Sequence, residues 1–384
     1  GLQSEQRMFS VQERAELIGR LAHAGMPKVE AVSFVNPKRV PQMAEPEAVL
    51  DALDVPESTV IAGLALNERG VDRALETRVG EIRYSFGVSE TFNQRNQGKT
   101  IAESFAMFAN TLPRVRKRGI PYVPILSTVF GCPFEGEIAP QRVVEVVRQL
   151  VEVGADEVIL GDTIGCAVPT QVSHLLTEIR AVIPESVRIG MHFHNTRNTG
   201  LANVYAALAG GVRSFDASLG GLGGCPFAPR ATGNICTEDL AYMLRNMGCK
   251  TGIDLPRLLE TANWIQDFFE ATLPGQVMKA GLFPEVATQA ACAEHDPHRR
   301  PAPRFLGSHP RRLPLAGSGT LQPRMGLLRP PRRESKRPRA YPCRGRRFGR
   351  TLGLPGNPAA GEPSGQRAGG LGPPAGGSGG VGAA

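Results

Sequence analysis

The chain has 384 residues, of which 41% are hydrophobic, and a formal net charge of +8. No apolar run approaches the ~20 residues that a membrane-spanning helix needs, so the sequence predicts no membrane segment. The positive charge belongs to one end: residues 1–292 carry a net charge of −5 and residues 293–384 a net charge of +13. The basic balance is therefore no sign that the folded part binds nucleic acid.

The composition changes abruptly near residue 289. Residues 293–384 hold 18 Gly and 15 Pro, above the roughly 25–30% that marks low-complexity sequence. We predict a folded domain over residues 1–288 and a disordered tail over residues 289–384. The tail is either an Arg-rich RNA-binding segment or, as we favour, GC-rich DNA translated out of frame.

Seven cysteines are an odd number, and none forms a C-x-x-C pair. Their wide spacing favours reduced thiols over a disulfide framework. We therefore predict a cytoplasmic protein.

Strand-like and helix-like patterns alternate from residue 10 to about residue 270. A Ser10–Glu13 capping box predicts a helix through His23. Further helices are predicted from Asn67, from Thr100, over residues 139–153, 170–183 and 201–211, and from Thr237. The predicted strands cover residues 29–34, 59–66, 81–89, 121–130, 157–165, 188–196 and 214–224. Nearly continuous apolar strands, each followed by a helix, predict a parallel sheet.

Polar residues collect where several predicted strands end. They are Ser33, Asn36, Ser89, Glu90, Asp162, Thr163, His192 and His194, followed by a Gly-rich turn that leads to Cys225. A ring of polar strand ends is how a (β/α)₈ TIM barrel builds its active site. Seven strands also suit an open doubly wound sheet. We predict the barrel, and we expect its first strand to precede Gly1.

The motif RIGMHFHNT (188–196) places His192 and His194 two residues apart on a predicted strand. Side chains two apart share one face of a strand, so both imidazoles point the same way. Two neutral imidazoles that converge are a plausible metal site. The alternative is one satisfied core histidine and one solvated strand end.

Six motifs together resemble the hydroxymethylglutaryl-CoA lyases, and the resemblance covers about residues 1–287. They are GLQSE (1–5), VEAVSFVNPKRVPQM (29–43), FGCPFEG (130–136), GDTIG (161–165), HFHNT (192–196) and GLGGCPFAPRATGN (221–234). The resemblance implies a TIM barrel that cleaves 3-hydroxy-3-methylglutaryl-CoA to acetyl-CoA and acetoacetate with Mg²⁺ or Mn²⁺. It implies an acyl-CoA partner, no membrane partner and no nucleic acid except through the tail, and it leaves a homodimer open.

The resemblance also implies roles for individual residues. His192, His194 and Asn234 become metal ligands, and His192 is a candidate for relaying the substrate's hydroxyl proton. Cys225 protonates the released enolate. The alternative for Cys225 is a small buried side chain in a tight turn.

Four further residues are implied near the substrate or the metal. Glu30 and Asp162 are predicted catalytic carboxylates, and Asp162 is alternatively a cap for the turn that follows it. Gln3 and Thr196 are predicted to bind substrate. Glu238 and Asp239 have a weaker implied role, because acids in the first turn of a helix are also favoured by the helix dipole.

The family carries an Arg-Asp pair directly before the GLQ motif, and this chain starts at Gly1. We therefore expect low activity from the chain as it stands. The alternatives to the lyase are a 2-oxo-acid aldolase or a Claisen-type synthase of the same superfamily, or an inactive truncated product. The GLGGCPFA stretch favours the lyase, because a cysteine that protonates an enolate serves cleavage.

Overall fold

A computed structural model of the chain describes residues 1–223 and 233–283, all within one compact unit. Within these residues, seven strands form one parallel sheet, and each strand pairs with the next along the chain. The strands are β1 (Lys28–Ser33), β2 (Val60–Leu64), β3 (Glu81–Gly87), β4 (Tyr122–Ser127), β5 (Glu157–Asp162), β6 (Arg188–Phe193) and β7 (Ser214–Asp216). The fold is a TIM-barrel-like α/β fold, as the alternating pattern predicts.

Helices follow the strands along the chain. They are α1 (Val11–His23), α2 (Pro46–Asp51), α3 (Glu68–Leu75), α4 (Glu90–Gln97), α5 (Ile101–Arg118), α6 (Pro140–Glu152), α7 (Pro169–Arg180), α8 (Gly200–Ala209), α9 (Thr237–Asn246), α10 (Leu255–Gln266) and α11 (Val277–Ala280). Within the described residues, no helix is both long enough and apolar enough to cross a membrane.

Two helix starts are fixed by capping boxes that the sequence predicts. The Ser10 side chain accepts from the Glu13 N–H at 3.1 Å, and the Glu13 carboxylate accepts from the Ser10 N–H at 2.8 Å. Thr100 and Glu103 form the same reciprocal pair at the start of α5. Each box satisfies backbone donors that a helix terminus otherwise leaves open.

The predicted strand over residues 214–224 is wrong beyond Asp216. Residues 219–221 form a 3₁₀ turn, and Gly220, Gly221 and Gly223 all have positive φ. Left-handed backbone of this kind cannot continue a strand, and glycine adopts it at little steric cost. The chain is thus bent at the end of β7 into a Gly-rich arm, which we define as residues 219–223.

Side chains alternate between two faces on β6. Met191 and Phe193 are buried in the main hydrophobic core, whereas the His192 side chain between them is 31% exposed. A second apolar cluster, which includes Leu219, Leu222 and Leu273, packs the Gly-rich arm against α1 and α10. Apolar contacts with α1 and α10 therefore hold the Gly-rich arm in place.

Candidate active site

His192 near the end of β6 and His194 directly after the strand meet at the carboxyl-terminal end of the sheet. The Nε2 atoms of His192 and His194 lie 3.3 Å apart. The rings thus face each other, as their spacing predicts. Burial, His192 and the positive amino terminus together lower the pKa of His194 to about 3. The His194 ring is therefore neutral near pH 7, which is the state that a metal ligand needs.

Asn234 pairs with His194 as neighbouring backbone. Residues 194 and 234 form an antiparallel bridge, which places their side chains close together. The Asn234 amide donates through Nδ2 to the Leu222 carbonyl at 2.9 Å. Its Oδ1 is buried and has no hydrogen-bond partner among the described residues, and the same is true of His194 Nδ1. A buried acceptor left open in a native protein calls for a water or an ion.

A carboxylate supports His192 from the other side. Asp216, the last residue of β7, places Oδ2 3.3 Å from His192 Nδ1. Burial alone would raise the pKa of Asp216, but Arg83 and His192 bring it well below its usual range. Asp216 is therefore an ionised acceptor beside the imidazole.

Arg83 on β3 links this carboxylate to two others. Its side chain is only 5% exposed. Nη1 lies 3.0 Å from both Asp216 oxygens and 3.2 Å from Glu30, while Nε lies 2.9 Å from Glu81. Burial opposes the charge, but the three carboxylates raise the pKa of Arg83 above its usual value. Glu81 is also paired with Lys28.

The predicted substrate residues lie around this cluster with different partners. Glu30 keeps 38% of its side chain exposed and contacts Arg83. Gln3 accepts a hydrogen bond from the Gly1 amino group at 2.9 Å. Thr196 lies against Gly165 in the loop after β5, where a Cβ on the glycine would meet its hydroxyl at 2.7 Å.

Asp162 is bonded to its own loop. Its two oxygens accept from the backbone N–H groups of Cys166 and Ala167 at 2.9 and 3.1 Å. Burial raises the pKa of Asp162, against the effect of these hydrogen bonds. The contacts are those of a turn cap, which is the alternative that the sequence leaves open.

Cys225 lies outside the described residues, but both ends of its segment are at the histidines. The Asn234 N–H donates to the Gly223 carbonyl at 3.1 Å, and the Asn195 N–H donates to the Gly233 carbonyl at 3.1 Å. Gly223 and Gly233, the described residues that flank this segment, therefore lie beside His194 and its neighbours.

The donor set suits a hard divalent cation. Two imidazoles and one amide oxygen give mixed N and O ligation, which is compatible with Mn²⁺ or Mg²⁺ with water in the remaining positions. Within residues 1–223 and 233–283, no three His, Cys, Asp or Glu side chains come together as a metal-binding group. The fit thus depends on the open amide oxygen of Asn234.

Arg83 and Asp216 are functional candidates that the motif reading missed. The available signal is alternation: Glu81 and Arg83 are charged residues two apart in an otherwise apolar strand, and Asp216 ends another strand. A buried charge is costly unless it is paired. The charge of Arg83 on β3 therefore needs a partner such as Asp216 on β7, and motif matching does not look for pairs on distant strands.

An open cavity of about 980 Å³ lies at the same end of the sheet. It is lined by residues that follow β1 and β2, and by Lys99 and Met107. The cations on its wall are Lys38, Arg69, Arg73 and Lys99. Arg73 is paired with Glu47.

The HMGL-like protein family matches residues 1–265. The chain is 41% identical over 301 residues to an (R)-citramalyl-CoA lyase of Chloroflexus aurantiacus. The alignment covers 76% of this chain and 95% of the relative. It is 38% identical to a hydroxymethylglutaryl-CoA lyase of Bacillus subtilis, over 72% of this chain and 92% of the relative.

A solved HMG-CoA lyase of Acinetobacter baumannii, in complex with coenzyme A and 3-methylmalate, is also similar. It is 37% identical, with a TM-score of 0.71, and the match covers 75% of this chain and 93% of that one. The chain belongs to the HMGL-like family, and the relatives named here are lyases that act on CoA thioesters.

Proposed function

We propose that this HMGL-like protein cleaves 3-hydroxy-3-methylglutaryl-CoA to acetyl-CoA and acetoacetate. The observation that carries the proposal is the contact between two imidazole Nε2 atoms next to Asn234, whose buried amide oxygen has no hydrogen-bond partner among the described residues. That end is where TIM barrels place their chemistry.

The reaction has three requirements. The tertiary hydroxyl loses its proton, the bond between C2 and C3 breaks with its electron pair passing to the thioester enolate, and the enolate takes up a proton. Mg²⁺ or Mn²⁺ held by His192, His194 and Asn234 would supply Lewis acidity for the hydroxyl and a neighbouring carboxylate. His194 serves this purpose because its ring is neutral.

His192 has two predicted roles that compete for one lone pair. Its Nδ1 faces Asp216, so Nε2 is the atom available either to a cation or to the hydroxyl proton. We assign the ring to the metal. Cys225 is our candidate for protonating the enolate, because its segment begins and ends beside His194.

The acyl-CoA partner is supported by the cationic cavity. CoA carries phosphate groups, which Lys and Arg side chains bind through charge-assisted hydrogen bonds. Lys38, Arg69 and Lys99 line a space that opens at the same end of the barrel as the histidines. We propose that the phosphates lie along this wall.

Citramalyl-CoA is the second candidate substrate, favoured by the 41% identity to a citramalyl-CoA lyase. It too carries a tertiary hydroxyl next to the thioester's α-carbon, and its cleavage would release pyruvate rather than acetoacetate. A Claisen-type synthase would form the same kind of bond in the opposite direction.

The test is a single-turnover assay with the full chain in excess over either thioester. We expect acetyl-CoA and acetoacetate from HMG-CoA with Mg²⁺ or Mn²⁺, and none after the metal is removed with EDTA. Pyruvate from citramalyl-CoA with no acetoacetate would transfer the proposal to the second substrate. No acetyl-CoA from either thioester would refute the lyase proposal, and His192→Gln is the control for contaminating activity.

Two sequence predictions continue as proposals. We propose a cytoplasmic location, based on the unpaired cysteines, although a relative in mouse is named mitochondrial. We propose that the folded domain ends near residue 288 and that the tail is not part of it. The domain boundary and the tail lie outside the described residues.

A further inference from the structure

We propose that Arg83 is a positioning residue: it holds Asp216 as a hydrogen-bond acceptor and thereby fixes His192 in the tautomer that carries its proton on Nδ1. The proposal rests on the function proposed above only for its consequence in catalysis. The tautomer itself follows from contacts within the chain.

The first step is the orientation of Asp216. Arg83 Nη1 lies 3.0 Å from Oδ1 and 3.0 Å from Oδ2, so one guanidinium nitrogen holds both oxygens of the carboxylate. Arg83 is itself held by Glu81 at Nε and by Glu30 at Nη1. A cation that is 5% exposed is stable only with such partners. The carboxylate of Asp216 is therefore held by a cation whose own position is fixed by two other carboxylates.

The second step is the direction of the hydrogen bond. An ionised carboxylate only accepts, so the nitrogen that faces it must donate. His192 Nδ1 is 3.3 Å from Asp216 Oδ2, and it must then carry the proton. The lone pair of His192 is left on Nε2, which points toward His194.

The open atom of His194 agrees with this assignment. With a lone pair on His192 Nε2, the facing His194 Nε2 carries a proton in the metal-free protein and donates across the 3.3 Å contact. His194 Nδ1 is then a bare acceptor. It is buried and has no hydrogen-bond partner in the described part of the chain, so no contact there requires it to carry the proton instead.

The experiment reads the tautomer directly, without metal or substrate. The full chain is labelled with ¹⁵N-histidine, and long-range ¹H–¹⁵N correlation spectra are recorded in EDTA at pH 8.5, where an ordinary imidazole is neutral. His192→Gln assigns the ring signals. We expect His192 to be protonated on Nδ1. A ring protonated on Nε2 in the unaltered chain would overturn the proposal.

Three variants separate the partners. In Asp216→Asn, Arg83 holds the amide oxygen, the NH₂ group faces His192, and the ring switches to the Nε2-protonated tautomer. Arg83→Gln frees the carboxylate, and we expect a mixture of the two tautomers. Glu157→Gln is the matched control: it changes a buried carboxylate that pairs with Arg188 and touches neither Arg83 nor Asp216, and the tautomer should not change.

Folding is checked by circular dichroism. If Arg83→Gln does not fold, Arg83→Lys replaces it; a single ammonium should hold the carboxylate less firmly and also give a mixture. A tautomer unchanged in the folded Arg83 variant would remove Arg83 from the proposal. A tautomer unchanged in Asp216→Asn would overturn it entirely.

A second readout connects the tautomer to the metal. The Mn²⁺ dissociation constant, measured by electron paramagnetic resonance, should rise about 10–100-fold in Asp216→Asn, with little change in Glu157→Gln. If the tautomer switches in the variants but the unaltered chain never releases acetyl-CoA, the positioning role stands and the lyase proposal is refuted. If the unaltered chain releases acetyl-CoA but the tautomer does not change in the variants, the lyase proposal stands and the positioning role is refuted.

Discussion

Two neighbouring strands, β5 and β6, end in polar side chains whose hydrogen bonding differs completely. Both oxygens of Asp162 at the end of β5 accept backbone N–H groups of the loop that follows. Beyond β6, His194 Nε2 contacts only another imidazole, and Oδ1 of Asn234, its bridge partner, is buried without a hydrogen-bond partner among residues 1–223 and 233–283. A polar side chain whose hydrogen bonds are made within its loop stabilises that loop, whereas a buried one without a partner is available to a ligand. The hydrogen bonds of these side chains, more than their residue types, therefore distinguish the two strand ends.

The largest effect should come from the unsatisfied end. His194→Gln removes a proposed metal ligand, and we expect acetyl-CoA release to fall by at least about 10²-fold, with a melting temperature close to that of the unaltered chain. Stopped assays and thermal unfolding measure the two effects. The matched control is Asp162→Asn, for which we expect the larger shift in melting temperature and the smaller loss of rate. Equal rate losses in the two variants would contradict the comparison.

The satisfied end should respond in stability. Asp162→Ala leaves the buried N–H groups of Cys166 and Ala167 without their acceptor, and each such loss costs about 1–3 kcal/mol. We expect the free energy of unfolding in urea to fall by about 2–6 kcal/mol for the two groups together. Asp162→Asn keeps one acceptor oxygen and should lose about half as much. Unchanged stability in the alanine variant would show that the loop does not depend on this carboxylate.

The sequence predicts most of the fold because its signals are local. Capping boxes at Ser10 and Thr100 mark helix starts, and apolar runs separated by helical patterns specify a parallel sheet. The pairing of His192 with His194 is also local, since it follows from the two-residue period of a strand. These features require no knowledge of distant parts of the chain.

The remaining features depend on contacts across the barrel. Arg83 and Asp216 are 133 residues apart, and only the closing curve of the sheet brings them together. The end of β7 was predicted eight residues too late because an apolar, Gly-rich run resembles a strand, while the backbone at Gly220 and Gly221 is left-handed. Partners of this kind are set by the tertiary structure, which a single-strand pattern does not contain.

Glu238 at the start of α9 has one carboxylate oxygen that accepts a hydrogen bond and one that does not, so it combines the two situations compared above. Its Oε2 accepts from the Gly220 N–H at 3.0 Å and so holds the Gly-rich arm. Its Oε1 is buried and without a hydrogen-bond partner in the described residues. Burial raises the pKa of Glu238 from its ordinary 4.5 to about 7. Glu238 therefore tests whether one unsatisfied oxygen is enough to affect the folded state.

The folded protein binds the Glu238 proton more tightly than the unfolded chain does, so its free energy of unfolding falls as pH rises from about 4.5 to about 7. The full loss above pH 7 is about 3 kcal/mol, from 1.36 kcal/mol per pH unit. Glu238→Gln keeps the acceptor for Gly220 and cannot ionise. We expect it to raise stability in urea by up to about 3 kcal/mol at pH 8.5 and to change it little at pH 4.5.

The matched control for Glu238→Gln is the neighbouring Asp239→Asn. The Asp239 carboxylate accepts N–H groups of Gln276 and Val277, so this variant should lose stability at pH 8.5. If Glu238→Gln destabilises the protein equally at both pH values, the open oxygen has a partner in solution. A water bound at Oε1 would stabilise the charge that burial alone disfavours. Whether water reaches the carboxylate, and not only its contacts within the protein, would then decide its pKa.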